Sequence, residues 1–295
     1  MTLFEKIGPL RVLHTKVFIK VAMHPLVRPI LLLFARRSLT PDRWVFVIGC
    51  YNSGTTLLAS ILRQHPEMGG LPNEGAFLTD SLPYPEQKGW PRMWIKCLDY
   101  IKSVGTDSEE KRAEKIKCHW SLWYPKDAPN LIEKTISNAV RMPFLQKNFK
   151  PAYFIYIVRD GYAVAKGIQR KANYSRWGCS YAEDEGYPIE LCAEQWKISD
   201  EIVQRDKVGL KHFLEVTYEE LTDNPKETFT KITDFLNVSA MPDEVFDAGW
   251  DIHEVSSKIK NMNERSHKYL TESDIDAINS VASDLLEKRR YKRDS

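Results

Sequence analysis

Two kinds of apolar pattern alternate along the chain. Trp44-Val45-Phe46-Val47-Ile48 and residues 153–158 are unbroken apolar runs, the form taken by strands buried on both faces of a parallel sheet. Residues 213–217 make a third strand-like run. After each run the period lengthens. Leu57, Leu58, Ile61 and Leu62 recur at helical spacing up to Pro66, a helical stretch begins at Tyr162, and Asn224-Pro225 opens a helix that continues through Phe235-Leu236. Strands alternating with helices predict an α/β fold: a single domain with a P-loop-like central parallel β-sheet flanked by helices and joined by right-handed crossovers. A ligand is expected at the carboxyl ends of the strands. No internal repeat, low-complexity segment or Gly/Ser linker divides this region.

The first 40 residues follow a different pattern. Leu3, Ile7, Leu10, Val17 and Val21 stand at helical spacing with Lys6, Lys16 and Lys20 between them. Such a stripe suits either a helix packed on the body or one lying on an anionic membrane surface. The longest uncharged apolar run there, residues 29–35, is far short of the roughly 20 residues that cross a bilayer, and Arg36-Arg37 follow it where a leader peptide would place small residues. The expectation is a basic amphipathic arm over residues 1–40, capable of peripheral membrane contact but without a transmembrane helix, attached to the α/β domain over 41–295.

Charge sharpens this division. The 295 residues carry 42 Lys and Arg against 40 Asp and Glu, a net charge of +2. Residues 1–40 hold seven basic residues against Glu5 alone, a surplus of +6, which leaves the remainder at −4. A mildly acidic body is a poor match for nucleic acid, and no nucleic-acid partner is expected. The five cysteines form no C-x-x-C pair, and their odd number cannot be fully paired within one chain, so reduced thiols and a cytoplasmic location are expected. The sequons at Asn173 and Asn237 are too short a pattern to argue for secretion.

The most informative segment is the turn after the first run, Gly49-Cys50-Tyr51-Asn52-Ser53-Gly54-Thr55-Thr56. Its glycines have the G-x-x-x-x-G spacing of a loop that aims backbone N–H groups and a helix N-terminus at an anion. The lysine that reaches β- and γ-phosphates in ATP and GTP hydrolases is absent after Gly54, where Thr55 stands instead. That disfavours nucleotide hydrolysis and leaves a site for one terminal phosphate or sulfate-like group. A glycine-rich turn with ordinary capping hydroxyls is the plain alternative.

Further segments follow in order: Glu133-Lys134-Thr135, then Ile157-Val158-Arg159-Asp160-Gly161, then Val216-Thr217-Tyr218-Glu219-Glu220-Leu221 with Asn224-Pro225 and Phe235-Leu236. Together with Ser53-Gly54-Thr55-Thr56-Leu57 they resemble the sulfotransferases, which use 3′-phosphoadenosine 5′-phosphosulfate as sulfuryl donor. The resemblance covers Trp44 to Leu236 and extends to the C-terminal segment from Arg265 to Leu270; residues 1–40 have no counterpart. His65-Pro66 followed by Glu74, and the Arg-Asp-Gly triplet, are most similar to the protein-tyrosine and membrane-associated carbohydrate branches.

The resemblance implies a metal-free enzyme that moves a sulfuryl group to a hydroxyl or amine of a small-molecule, lipid or carbohydrate acceptor. Residues Ser53, Gly54, Thr55 and Thr56 would hold the 5′-phosphosulfate end. Arg159 would hold the 3′-phosphate, a task suited to a permanently charged guanidinium that can grip two oxygens. Lys134 would neutralise charge on the bridging oxygen. Arg265 and Lys268, in a stretch made basic also by Lys258 and Lys260, would close over the 3′-phosphate. The cytosolic branch has a histidine base where this chain has Ile136, so Glu74 is the expected general base, matching the tyrosine-sulfating branch. His65 is the runner-up, although His-Pro at a helix end also reads as a cap; His119 and Asp127 are further candidates.

Two positions depart from the family pattern. Asn52 stands where relatives carry a lysine or arginine, and Gly167 where a serine helps bind the 3′-phosphate. Lys134 is expected to cover the first loss and Lys166 or Ser175 the second. A catalytically silent nucleotide-binding relative and a P-loop nucleotide kinase are the alternative functions. Aromatic residues concentrate in segments 75–125 and 174–200, as core packing or as the wall of a cleft for a sugar, phenol or lipid head group.

Overall fold

The structure is a computed structural model that describes residues 17, 19–33, 35, 39–103, 108–172, 186–247, 250–252, 255–257, 259–291 and 293. The first apolar run forms β1 (Arg43–Gly49), the central strand of a five-stranded parallel sheet. The others are β2 (Met68–Gly70), β3 (Asn130–Glu133), β4 (Ala152–Val158) and β5 (Phe213–Thr217), in the order β2-β3-β1-β4-β5. A two-stranded antiparallel ribbon, β6 (Trp250–Ile252) and β7 (Val255–Ser257), lies outside this sheet.

Alternation along β1 explains why its run is apolar throughout. Trp44, Phe46 and Ile48 face one side, where they meet Phe149, Phe154 and Trp120; Val45 and Val47 face the other, against Leu58, Ile61, Leu62, Phe229 and Ile232. The helical partners come from α2 (Thr55–Leu62), α3 (Glu109–Trp120) and α7 (Pro225–Leu236), whereas Phe154 lies on β4 and Phe149 just before it. A third cluster joins α5 (Gly161–Lys171), α6 (Ile189–Asp206) and α9 (Glu272–Lys288) through Tyr162, Ile168, Trp196, Ile278 and Leu286. The single-domain α/β sheet expected from the alternating pattern is therefore present, with α4 (Met142–Asn148) and the short α8 (Asn263–His267) at its margins.

Strand order fixes where a ligand can sit. From β1 the chain moves to β2 and β3 on one side, then crosses β1 to reach β4 and β5 on the other. The connections after β1 and β4 thus diverge at the carboxyl end of β1, and a crevice opens there. Register aligns Phe46 with Glu133 and Gly49 with Ile157, so the loops after β1, β3 and β4 reach the same edge.

The N-terminal arm is described only from residue 17, so Leu3, Ile7 and Leu10 lie outside the described residues. Within the described part, Ile19 and Ala22 are buried against the body whereas Val17 and Val21 are exposed. The packed face is thus offset from the stripe expected from spacing. The following helix, α1 (Arg28–Leu32), is tied to the body by an Arg28–Asp80 ion pair of 3.0 Å. Among the described residues, no helix is long and apolar enough to cross a membrane.

Candidate active site

A cavity of about 460 Å³ opens at the carboxyl edge of β1, β3 and β4, within the size range of small-molecule sites. Of the residues singled out from sequence, Asn52, Gly54, Thr55, Thr56, Glu74, Lys134, Arg159, Gly167 and Arg265 all line it.

The loop after β1 is shaped by two left-handed residues, Asn52 (φ 63°) and Gly54 (φ 95°). Asparagine tolerates this conformation better than most residues. At Gly54 a Cβ would also fall 2.6 Å from the Tyr218 ring, so only glycine fits. Gly54 carries no side-chain cap for α2, whose first N–H groups lack intrahelical acceptors and face the loop. Thr55 and Thr56 line the cavity, but the Ser53 side chain does not: its Oγ is buried without a hydrogen-bond partner.

Arg159, just beyond β4, is buried and anchored from two sides. Nε donates to Asn263 Oδ1 at 2.7 Å, Nη1 donates to the Asn52 carbonyl at 2.8 Å, and the guanidinium lies 4.0 Å over the Tyr218 ring. Burial lowers its pKa from the ordinary arginine value. Nη2 is buried with no partner, a donor left for a ligand. Tyr218 and Asn263 were not assigned roles from sequence. Their task is to hold the C-terminal segment here: Tyr218 Oη donates to the Lys260 carbonyl at 3.2 Å, and Asn263 Nδ2 donates to Glu219 Oε1 at 2.6 Å.

The opposite wall is built on Glu133-Lys134-Thr135. Lys134 Nζ donates to Glu74 Oε1 at 2.7 Å, forming an ion pair that is mostly shielded from solvent. Its two neighbours hold the backbone that follows Glu74: Gly75 N–H donates to Glu133 Oε1 at 2.8 Å and Ala76 N–H to Thr135 Oγ1 at 3.2 Å. The Glu133 carboxylate also accepts from Thr135 Oγ1 and Asn138 Nδ2, both at 2.5 Å. Burial raises its pKa to about 7 despite these donors.

Further cations line the cavity: Lys260 from the basic C-terminal stretch, and Arg92, Arg170 and Lys171, which the motifs did not mark. Among the described residues none of these four, nor Arg159 or Arg265, makes an ion pair. Lys171 is exposed at the rim, yet desolvation against the wall and the charges of Arg92, Arg159, Arg170 and Arg265 push its ammonium down to about 8. A cavity with a surplus of cations, and with buried donors unpaired at Arg159 Nη2, Arg92 Nε and Asn52 Nδ2, fits a ligand carrying several negative charges.

Other candidates fall elsewhere. His65 Nε2 donates to the Ser239 carbonyl at 2.8 Å while Nδ1 accepts from Glu67 N–H at 3.1 Å, a buried structural role. His119 is buried outside the cavity beside Thr79 and Arg28, with its pKa lowered to about 4 by desolvation and the Arg28 charge. Asp127 and Lys268 are exposed and do not line the cavity. Lys166 is paired with Asp274 at 2.9 Å, which removes it as a substitute for the missing serine. Ser175 and Lys258 lie outside the described residues. Of the aromatics in segments 75–125 and 174–200, Trp94, Trp120 and Trp196 are core residues, whereas Tyr84 lines the cavity with Tyr51 and Phe77; Tyr174, Trp177 and Tyr181 are outside the described residues. Among the described residues no cluster of three or more His, Cys, Asp or Glu has metal-holding geometry.

Comparison with known proteins adds a family. A model described as the sulfotransferase family matches residues 44–243, more than half of the chain. A Caenorhabditis briggsae protein provisionally named protein-tyrosine sulfotransferase is 28% identical over 201 residues, covering 67% of this chain and 66% of the relative. Protein-tyrosine sulfotransferase A of Caenorhabditis elegans is 26% identical over 203 residues, covering 66% of this chain and 50% of the relative. The matched region thus spans about two thirds and about half of these relatives' lengths. Among solved structures, a sulfotransferase of Mycobacterium tuberculosis H37Rv is similar with a TM-score of 0.52 and 14% identity, covering 90% of this chain and 85% of that one. One from Mycobacterium avium gives 0.51 and 15%, covering 92% and 81%. At these identities the likeness concerns the fold alone.

Proposed function

Because the chain belongs to the sulfotransferase family, we propose that its cavity transfers a sulfuryl group from 3′-phosphoadenosine 5′-phosphosulfate to a hydroxyl or amine acceptor. The observation that carries this reading is the convergence of the loop at residues 52–56, Arg159, Lys134 and Glu74 on one cavity rich in unpaired cations. When bound, the nucleotide supplies the sulfuryl group. The first N–H groups of α2 and the hydroxyls of Thr55 and Thr56 cradle its 5′ end, and Arg159, with Nη2 free, takes the 3′-phosphate. Glu74 accepts the proton of the acceptor hydroxyl. Lys134, held 2.7 Å away, keeps that carboxylate turned into the cavity and places positive charge beside the oxygen left on the nucleotide.

Phe77 and Tyr84 on the Glu74 wall, with Tyr51 on the loop after β1, favour an acceptor with a flat or apolar face, such as a sugar, a phenol or a lipid head group. The test is transfer of labelled sulfate to a panel of such acceptors by the wild type and by Glu74→Gln. Retention of full turnover by the variant would remove Glu74 as the base.

The arm carries a second proposal, peripheral contact with an anionic membrane. Leu26 (77%), Ile30 (58%) and Leu33 (81%) are exposed apolar side chains on a segment whose net charge is positive. In co-sedimentation with phosphatidylserine vesicles the full chain is expected to pellet, and Leu26→Asp/Leu33→Asp to stay in solution; equal behaviour of the two would leave the arm as packing only. The free thiols at Cys50, Cys97, Cys118 and Cys192 support a reducing, cytoplasmic setting.

A further inference from the structure

The loop after β1 presents backbone N–H groups and hydroxyls but no charge of its own, because the position preceding Ser53 is the neutral Asn52. A multiply charged anion held in a partly desolvated cavity needs a fixed cation at this point. One is brought there from another part of the chain. Arg92 Nη2 donates to Asn52 Oδ1 at 3.0 Å, and the guanidinium lies 5.1 Å from the centre of the Tyr51 ring. Among the described residues Arg92 forms no ion pair, its Nε is buried without a partner, and it lines the cavity beside Thr55, Thr56 and Arg159. Burial lowers its pKa from the ordinary arginine value, although Glu74 and Glu86 oppose this. Its backbone is left-handed (φ 61°), a conformation costly for a long side chain, so the fold holds Arg92 in this place against a local preference.

Asn52 and Gly167 complete the arrangement. The Asn52 carbonyl accepts from Arg159 and its Oδ1 accepts from Arg92, so one residue joins two guanidinium groups across the loop. A Cβ at position 167 would lie 3.0 Å from Asn52 Cγ and 3.2 Å from its Nδ2, a crowded approach to the amide that orients Arg92. The two departures from the family pattern are thus in contact with each other.

We infer that Arg92 is the donor-binding cation of the loop, contacting the 5′ phosphate or sulfonate oxygens of the nucleotide, and that Asn52 is its positioning residue, with Gly167 leaving the space for it. This rests on the reading of the cavity as a nucleotide-sulfate site. The probe is 3′,5′-phosphoadenosine, titrated by calorimetry into the full-length chain. Arg92→Gln is expected to bind it about 10- to 100-fold more weakly than the wild type, the range for losing a hydrogen bond to a charged group. Adding Asn52→Lys to Arg92→Gln is expected to recover at least about tenfold by placing a cation on the loop itself. Should Arg92→Gln fail to fold, as judged by circular dichroism, Asn52→Ala tests the same point by releasing Arg92 while keeping its charge, and weaker binding is again expected. Wild-type affinity in Arg92→Gln, or in Asn52→Ala where that variant replaces it, overturns the inference while leaving the proposed function standing. No binding by the wild type overturns both.

Discussion

The cavity has two walls that are made in different ways. The donor wall consists of loops that leave adjacent buried strands: residues 50–54 after β1 and Arg159 after β4, placed by a register that pairs Gly49 with Ile157. The acceptor wall carries Glu74, Phe77, Tyr84 and Glu86 on a stretch of short 3₁₀ turns with little repetitive structure, and the same stretch sends Arg92 across to Asn52 on the donor wall. The first wall inherits its geometry from the sheet. The second must be fastened side chain by side chain, and the end of β3 provides most of the fastening: Glu133 and Thr135 hold the backbone at Gly75 and Ala76 and Lys134 holds the Glu74 carboxylate, while from α3 Trp120 Nε1 donates to the Gly75 carbonyl at 3.0 Å. A wall on strand ends suits recognition of an invariant donor. A wall of irregular turns can vary with the acceptor while β3 keeps Glu74 in place.

Substitutions on the acceptor wall should separate from those on the donor wall. The largest effect is expected for Glu74→Gln: turnover falls about 10²- to 10⁴-fold, the range for removing a general base, while affinity for 3′,5′-phosphoadenosine stays within about twofold. A parallel loss of nucleotide affinity would mean that the walls do not divide the work in this way.

A smaller effect concerns the fastening. Glu133 has a pKa raised from 4.5 to about 7 by burial, so between these values the folded chain keeps a proton that the unfolded chain has released. Its contribution to stability is complete below pH 4.5 and is lost as the pH rises through about 7, on the order of 3 kcal/mol in total. Urea unfolding of Glu133→Gln across pH 4.5–8 should show a shallower decline than the wild type. Parallel curves for the two proteins would sink the assignment of this slope to Glu133.

The same contrast explains what could be read in advance. β1 and β4 announced themselves as apolar runs because both faces of a central parallel strand are covered, the partly buried edge strand β5 left a mixed strand-like run, and the glycine-bounded turn after β1 follows from its spacing. β2 is three residues at the sheet edge, two of them glycine, and β3 has polar residues at both ends, so neither left a comparable pattern. Within the site, residues attached to legible strands were found: Thr55, Thr56 and Arg159 line the cavity, and Lys134 joins them from the end of β3. Ser53 lies on the loop after β1, but whether its hydroxyl faces the cavity depends on a rotation that spacing does not record. Arg92 carried no signal, since it reaches Asn52 across 40 positions of sequence through an irregular turn. Lys268 shows the reverse error, a basic residue in a basic stretch whose side chain faces solvent.

The central claim is that the donor wall reads a 3′-phosphate through Arg159. Its most direct measurement is the affinity of the full-length chain for 3′,5′-phosphoadenosine and for 5′-adenosine monophosphate, compared between the wild type and Arg159→Ala. The wild type is expected to prefer the 3′-phosphorylated nucleotide by about tenfold or more, and Arg159→Ala to lose most of that preference. Equal affinity of the wild type for the two nucleotides, or an undiminished preference in Arg159→Ala, would contradict it.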